Sequence, residues 1–343
     1  MPTNIENLLG QMSKRHRENW TMILYDVESF MRHCSRKELS VKTLSSYEQT
    51  LRLFMMWLDE QGVEQTENIR HDHVAQYVDY ILSRGKYTVC IKEESWGKNH
   101  PEKRPDYGRR VSPTTVNNYL RNMNAFFNWC VEEDIIRKNP VRRTDFIKVA
   151  RQPQEFVSDS DFKKLLHGMD VSKFSEYRDS VIIRLLLDTG MRCRECLMIQ
   201  VKDVDLQKRC IMLPAENTKG KKDRVVFYSD TMAKLLQRWM RYKDRYRDSD
   251  YLFCTNEGKM LAPTNFETNV RKYARRAGIK NVHPHVFRNN FAKRFLMSGG
   301  DIYTLSKILG HSSVVVTEQA YLDIDSDDLQ KMYQGHSPLE NLK

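Results

Sequence analysis

The 343-residue sequence carries 56 lysines and arginines against 45 aspartates and glutamates, a formal net charge of +11, with 40% hydrophobic and 29% charged residues. This composition fills the cores of about two domains and excludes a disordered or collagen-like chain. There is no apolar run near the roughly 18 residues of a membrane span, the first 20 residues are polar without a signal-peptide core, and seven scattered cysteines fit a reducing compartment, so a cytoplasmic protein with no membrane partner is expected.

The charge is uneven. Residues 1–150 hold 23 basic against 20 acidic side chains, whereas residues 151–343 hold 33 against 25. An excess of this kind attracts a polyanion, most simply nucleic acid.

In chain order, residues 45–62 predict a first helix, with Tyr47, Leu51, Phe54, Met55 and Leu58 at three- and four-residue steps. Ser45 or Ser46 caps its start and Gly62 ends it. Residues 71–84 repeat the pattern through Val74, Tyr77, Val78, Ile81 and Leu82. Ser112-Pro113 opens a third helix through Leu120, Met123, Phe126, Phe127 and Cys130 to Ile136. Proline costs nothing in a first turn, where its missing N–H would have no partner. Between the second and third helices, residues 86–110 carry Lys98, His100, Lys103, Arg104, Arg109 and Arg110. They read as an exposed basic insertion able to track phosphates.

Residues 139–154 hold Arg142, Arg143, Lys148 and Arg151 between prolines and read as a basic interdomain linker. Residues 158–169 then start a helix with Ser and Asp at its cap and first turn. A helix follows over 177–187, broken at Thr189-Gly190, and a short one over 194–200. Two β-rich runs, 210–213 and 224–228, flank a basic tip centred on Thr218, Lys219, Gly220, Lys221, Lys222 and Asp223, which predicts a hairpin. Helices are expected over 231–244, 264–277, 286–297, 302–309 and 315–322.

Cys193-x-x-Cys196 lacks a second ligand pair at zinc spacing and reads as packing. A more informative set is Thr189-Gly190-Met191-Arg192-x-x-Glu195, His285-x-x-Arg288, Leu309-Gly310-His311 and, ten residues on, Tyr321. Two arginines can clamp the non-bridging oxygens of one phosphodiester by charge-assisted bonds, most strongly in a transition state with extra negative charge. A tyrosine hydroxyl must lose its proton to attack, and histidines suit that transfer or a bond to phosphate. The departing 5′-oxygen needs a proton, which a lysine on a hairpin tip, Lys219, can deliver. No acidic triad for Mg²⁺ accompanies the set, so no metal or cofactor is expected.

The blocks TGMRCREC, TKGKKDR, HPHVFRNNFAKRF and LGHSS with the downstream tyrosine resemble those of the tyrosine recombinase, or phage integrase, family. The resemblance is specific over residues 155–325 and weak over about 38–140. It implies that Arg192 and Arg288 clamp phosphate and that Lys219 is the general acid, with Lys221 and Lys222 close enough to be the alternatives for that role. It further implies His285 as base, His311 bonding the scissile phosphate, Glu195 supporting the first arginine, and Tyr321 as nucleophile. Asn289 stands where many members have histidine, and the ten-residue step from His311 to Tyr321 exceeds the commoner nine. Tyr303 precedes His311 and Tyr333 lies in the tail, so neither fits the pattern as well as Tyr321.

The implied fold is mainly α with a small antiparallel β-sheet. It joins a helical core-binding domain (1–140) through a basic linker (141–154) to a mixed α/β catalytic domain (155–325), as a C-shaped clamp on duplex DNA. A tail (326–343) would dock on a neighbouring protomer or on its own domain. The implied function is site-specific recombination through a 3′-phosphotyrosyl intermediate, for integration, excision or transposition of a mobile element, in a tetrameric synapse on DNA in a prokaryotic, nucleoid-associated setting. Phosphate contacts are expected from Lys103, Arg104, Arg109, Arg110, Arg142, Arg143, Lys148, Arg151, Lys221 and Lys222. A type IB topoisomerase-like enzyme and a catalytically inactive DNA-binding regulator are the alternatives.

Overall fold

The computed structural model describes residues 14–89, 100–150, 155–218, 220–311, 313–321, 328, 330 and 333, and for residues 14–21 and 319–321 the backbone alone. The chain divides into two compact units, Met1–Arg151 and Gln152–Lys343.

Among the described residues, the first unit packs helices α1 (Lys14–Arg36), α2 (Val41–Glu60), α3 (His71–Arg84) and α4 (Pro113–Glu132). Helix α1 is absent from the sequence-based expectation. Its Ile23, Val27, Phe30 and Cys34 recur at three- and four-residue steps and bury a stripe against α2 and α4. Helix α2 starts earlier than expected, because the Ser40 hydroxyl accepts from the Thr43 N–H at 3.1 Å. Ser45 and Ser46 therefore lie inside the helix on its exposed side. The predicted stripes form one core: Leu51, Phe54, Leu58, Tyr77, Met123, Phe126 and Phe127 are all buried.

Two segments outside the helices are more ordered than a plain loop or linker. The described ends of the basic insertion are tied together, the Lys86 N–H donating to the Arg109 carbonyl at 2.8 Å and the Gly108 N–H to the Lys86 carbonyl at 3.0 Å. Residues 141–147 are no free linker. Val141 is buried in the first unit's core, and the Asn117 amide bonds both the carbonyl (2.8 Å) and the N–H (2.9 Å) of Ile147. His71 Nδ1 meets the Pro140 carbonyl at 3.2 Å. Apolar side chains at 141, 146 and 147 outweigh the neighbouring charges, so the segment between units shortens to the residues that follow.

The second unit contains α5 (Asp159–His167), α6 (Phe174–Thr189), α7 (Cys193–Leu197), β1 (Val204–Asp205), β2 (Cys210–Leu213), β3 (Arg224–Phe227), α8 (Asp230–Tyr246), α9 (Pro263–Arg276), α10 (Pro284–Met297), α11 (Ile302–Leu309) and α12 (Val314–Tyr321). The strands form an antiparallel sheet in the order β1-β2-β3. β1 is too short to leave a sequence signal. The register pairs Ile211 with Val226 and Leu213 with Arg224 on the inner face, and Met212 with Val225 on the outer. Ile211, Leu213 and Val226 are buried, whereas Met212, Val225 and Phe227 are exposed. Helix α6 is enclosed on nearly every side, with Val181, Ile182, Ile183, Leu185 and Leu186 fully buried, and α10 packs along it.

Losing the two Asn117 bonds should cost about 1 kcal/mol each. Asn117→Ala is therefore expected to move the first cut in limited proteolysis into residues 141–150, read by mass spectrometry of the fragments.

Candidate active site

The site is assembled at the ends of α6, α7, α10 and α11. Helix α6 stops at Gly190, which adopts φ +63°, and a Cβ there would come within 2.3 Å of the Phe291 ring and 2.9 Å of Leu309. Only glycine combines that conformation with that approach. The turn leaves the Gly190 carbonyl facing Arg288 on α10, whose Nη1 donates to it at 2.7 Å. Arg288 Nη2 donates to the Leu309 carbonyl at 2.9 Å and to His311 Nε2 at 2.8 Å. Arg288 is buried, so these acceptors replace the water its charge would otherwise hold.

Arg192 precedes α7 as its N-cap residue. Glu195 accepts from the Arg192 backbone N–H and from its Nη1, both at 2.9 Å. Arg192 Nη2 points toward the Gly310 carbonyl at 3.5 Å, and its side chain stays partly exposed. The predicted partnership of Arg192 and Glu195 is thus present, and it includes a member the sequence reading missed. Arg224 on β3 donates to the buried Glu195 carboxylate at 2.5 Å and to the Ile308 carbonyl at 2.8 Å. Its signal was visible, as the last letter of the TKGKKDR block and as a charge on the inward-facing phase of a strand.

His311 follows Gly310, which ends α11 in the left-handed region at φ +65°. A guanidinium only donates, so His311 Nε2 accepts from Arg288, and the ring proton lies on Nδ1, facing the Thr317 hydroxyl at 2.7 Å. Burial pushes the His311 pKa down to about 4, with help from the charges of Arg288, Arg192, Arg224 and His285. His285 keeps solvent access at the start of α10. Crowding by its surroundings lowers its pKa, as do the charges of Arg288, His283 and Arg192. Both rings are therefore neutral proton acceptors at neutral pH. A bond from His311 Nε2 to a phosphate requires that nitrogen to gain a proton, which the negative phosphate itself would favour.

Helix α12 ends at Tyr321, whose backbone is placed but whose side chain falls outside the described residues, as does Lys219. Around Lys219, the Thr218 hydroxyl shapes the tip by donating to the Lys222 carbonyl at 2.9 Å. Lys221 and Lys222 are exposed there, Lys221 at φ +47°.

A family model described as the phage integrase family matches residues 155–327, and one described as the phage integrase N-terminal SAM-like domain matches residues 27–96. Tyrosine recombinase XerC of Thermodesulfovibrio yellowstonii is 30% identical over 236 residues, 66% of this chain and 77% of that one. The XerC of Yersinia pestis is 24% identical over 315 residues, 91% and 94% of the two chains. Among solved structures, the Tn1549 transposon integrase with transposon right-end DNA aligns at TM-score 0.67 and 16% identity, over 92% of this chain and 99% of that one. A lambda integrase dimer on a core site aligns at TM-score 0.62 and 12% identity, over 87% and 94%. The chain belongs to the phage integrase family. It is a tyrosine recombinase, an enzyme that cleaves and rejoins DNA at specific sites.

The remaining expected site residues of this recombinase are dispersed. Lys103, Arg109 and Arg110 are exposed in the insertion, while Arg104 is engaged by Asp106 at 3.4 Å and lies 4.2 Å over the Tyr87 ring. Arg143 and Lys148 are exposed, and Arg151 falls outside the described residues. Arg142 lines a cavity of about 560 Å³ together with Arg70, Arg137 and Lys138, cations the sequence reading did not single out. Cys196 is fully buried with its thiol pKa well above the usual value, and burial pushes the Cys193 thiol up to about 12. Neither is a thiolate near neutral pH, which fits packing. Among the described residues, no group of three or more His, Cys, Asp or Glu is placed to hold a metal ion, and no helix is long and apolar enough to cross a membrane.

A histidine depressed in the folded state and ordinary in the unfolded one takes up its proton preferentially on unfolding. It therefore withdraws stability as pH falls from about 6.5 toward 4. In an NMR titration the His311 ring is expected to stay neutral until about pH 4, and Arg288→Ala should raise its midpoint. A midpoint near 6.5 in the wild type would contradict the packing described.

Proposed function

We propose that this recombinase cleaves duplex DNA through Tyr321, which attacks a phosphate, forms a 3′-phosphotyrosyl link and frees a 5′-hydroxyl. Arg192 and Arg288 grip the non-bridging oxygens, Lys219 protonates the leaving 5′-oxygen, and His285 accepts the tyrosine proton. His311 bonds the scissile phosphate once Arg288 turns from it toward DNA. Glu195 supports Arg192. A second 5′-hydroxyl then reverses the chemistry, so one phosphodiester is exchanged for one phosphotyrosyl ester and no energy source is needed.

The observation that carries the reading is the convergence of Arg288, His311 and Arg192. Arg288 bonds His311, 23 positions on, at 2.8 Å, and Arg192 approaches the Gly310 carbonyl across 118 positions of chain. Such a pair of guanidiniums with neutral imidazoles suits a phosphate that gains charge in its transition state.

The DNA is duplex, carries specific recombination sites, and is held along its backbone by the exposed cations of both units, among them Lys103, Arg109, Arg110, Arg142, Arg143, Lys148, Lys221 and Lys222. The active assembly is a tetrameric synapse, and the setting is movement of a mobile element in a prokaryotic cytoplasm, on nucleoid DNA. The neighbour described as a transposon integrase with transposon right-end DNA supports the mobile-element setting, and it and the lambda integrase on a core site support DNA as the partner.

The test is a suicide duplex carrying DNA that flanks the protein's own gene. The wild type should form an SDS-resistant adduct, and Tyr321→Phe should lose it while retaining gel-shift affinity; an adduct persisting in Tyr321→Phe would move the nucleophile elsewhere. Arg192→Ala and Arg288→Ala should each slow cleavage by at least about 100-fold while affinity changes little, because the clamp acts in the transition state. Equal losses of binding and cleavage would assign the arginines to binding.

A further inference from the structure

Arg224 stands at a junction that the proposed chemistry uses without naming. Its backbone belongs to β3, the returning arm of the hairpin whose tip carries Lys219. Pairing with Leu213 turns its side chain to the inner face of the sheet. There one terminal nitrogen reaches Glu195, the carboxylate that also holds Arg192, and the other reaches the Ile308 carbonyl in the last turn before Gly310 and His311. The fit is close on the far side as well. A Cβ on Gly310 would lie 2.8–2.9 Å from the Arg224 guanidinium and its Cδ, so Gly310 leaves the space that Arg224 fills.

Fold stability does not account for this residue. The Arg224 Nε is buried without a hydrogen-bond partner. An ion pair with an unsatisfied donor is commonly replaceable by apolar packing at no loss of stability. The arrangement does supply register: one rigid fork spans a strand, a helix start and a helix end. These are the carriers of Lys219, Arg192 and His311.

We propose that Arg224 is a positioning residue, setting the Lys219 hairpin at the correct distance from the Arg192–Glu195 pair and from His311. This rests on the reading of the site given above. It implies that the hairpin tip is aimed from its base. Thr218 and Lys222 shape the tip locally, whereas Arg224 sets where the whole hairpin stands. Removing the fork leaves DNA binding intact and misplaces the proton donor.

The experiment compares wild type, Arg224→Gln, Arg224→Lys and Lys219→Ala in single-turnover cleavage of two suicide duplexes. One carries the ordinary 5′-bridging oxygen and the other a 5′-bridging sulfur, whose departure needs no proton. Gel-shift affinity and the thermal unfolding midpoint are measured alongside. Arg224→Gln is expected to slow cleavage of the oxygen substrate about 100-fold, the scale of a misplacement near 1 Å, and of the sulfur substrate less than about 10-fold, at unchanged affinity. Arg224→Lys, which keeps the charge but reaches one partner at a time, should fall between. It serves as the test variant if the glutamine variant does not fold.

Equal slowing on both substrates would overturn the coupling to the hairpin, and no slowing would overturn positioning altogether. Loss of affinity and of thermal stability in step with the rate would leave Arg224 a structural residue only. Failure of sulfur to rescue Lys219→Ala, or absence of a wild-type adduct, would instead overturn the reading of the site and this inference with it. Those controls separate the two failures.

Discussion

The Arg288 guanidinium is the interaction on which the rest of the second unit's geometry depends. A buried positive charge must be answered by oxygen or nitrogen acceptors, and here they come from the Gly190 carbonyl, the Leu309 carbonyl and His311. Two of these acceptors are backbone atoms at the ends of different helices. Satisfying one side chain therefore fixes where α6 stops, where α11 stops, and how the His311 ring is turned.

The surrounding structure supplies that constraint. Helix α6 can be apolar on nearly every side because α10 and the rest of the second unit enclose it. Its most deeply buried carboxylate, Asp179, is met by its neighbour Arg178 and by Tyr273 and Asn269, the last two tying α6 to α9. Gly190 and Gly310 then end α6 and α11 in left-handed turns that admit close neighbours. Arg192, Arg224 and Arg288 line these ends with positive charge, and Glu195 answers the first two. Such a lining attracts an anion, and burial together with these charges lowers the pKa of both histidines.

Much of the architecture was legible in the residue order. Helices at 71–84 and 302–309 were bounded correctly, since caps and apolar steps agree there. The start of α2 was placed too late because two serines resembled a cap, and only backbone geometry shows Ser40 in that role. Residues 141–147 read as linker from their charge, yet three apolar side chains and Asn117 bind them to the first unit. Helix α1 escaped because its polar first half masks the stripe that follows. Arg224 escaped because its importance lies in its contacts, and strand phase alone does not show which partners await an inward-facing charge.

The sequence by itself determined the chemistry available to this protein. The types and order of Arg192, Lys219, His285, Arg288, His311 and Tyr321 carry the proposed phosphate-handling set, because few residue types can clamp, protonate or attack a phosphodiester. Tertiary structure alone decided how those groups share protons and charge. That His311 accepts from Arg288, that Glu195 serves two arginines, and that Arg224 bridges three elements all follow from burial. Desolvation makes each unmet donor or acceptor costly, so packing decides which of these groups meet, and no spacing along the chain encodes that reach.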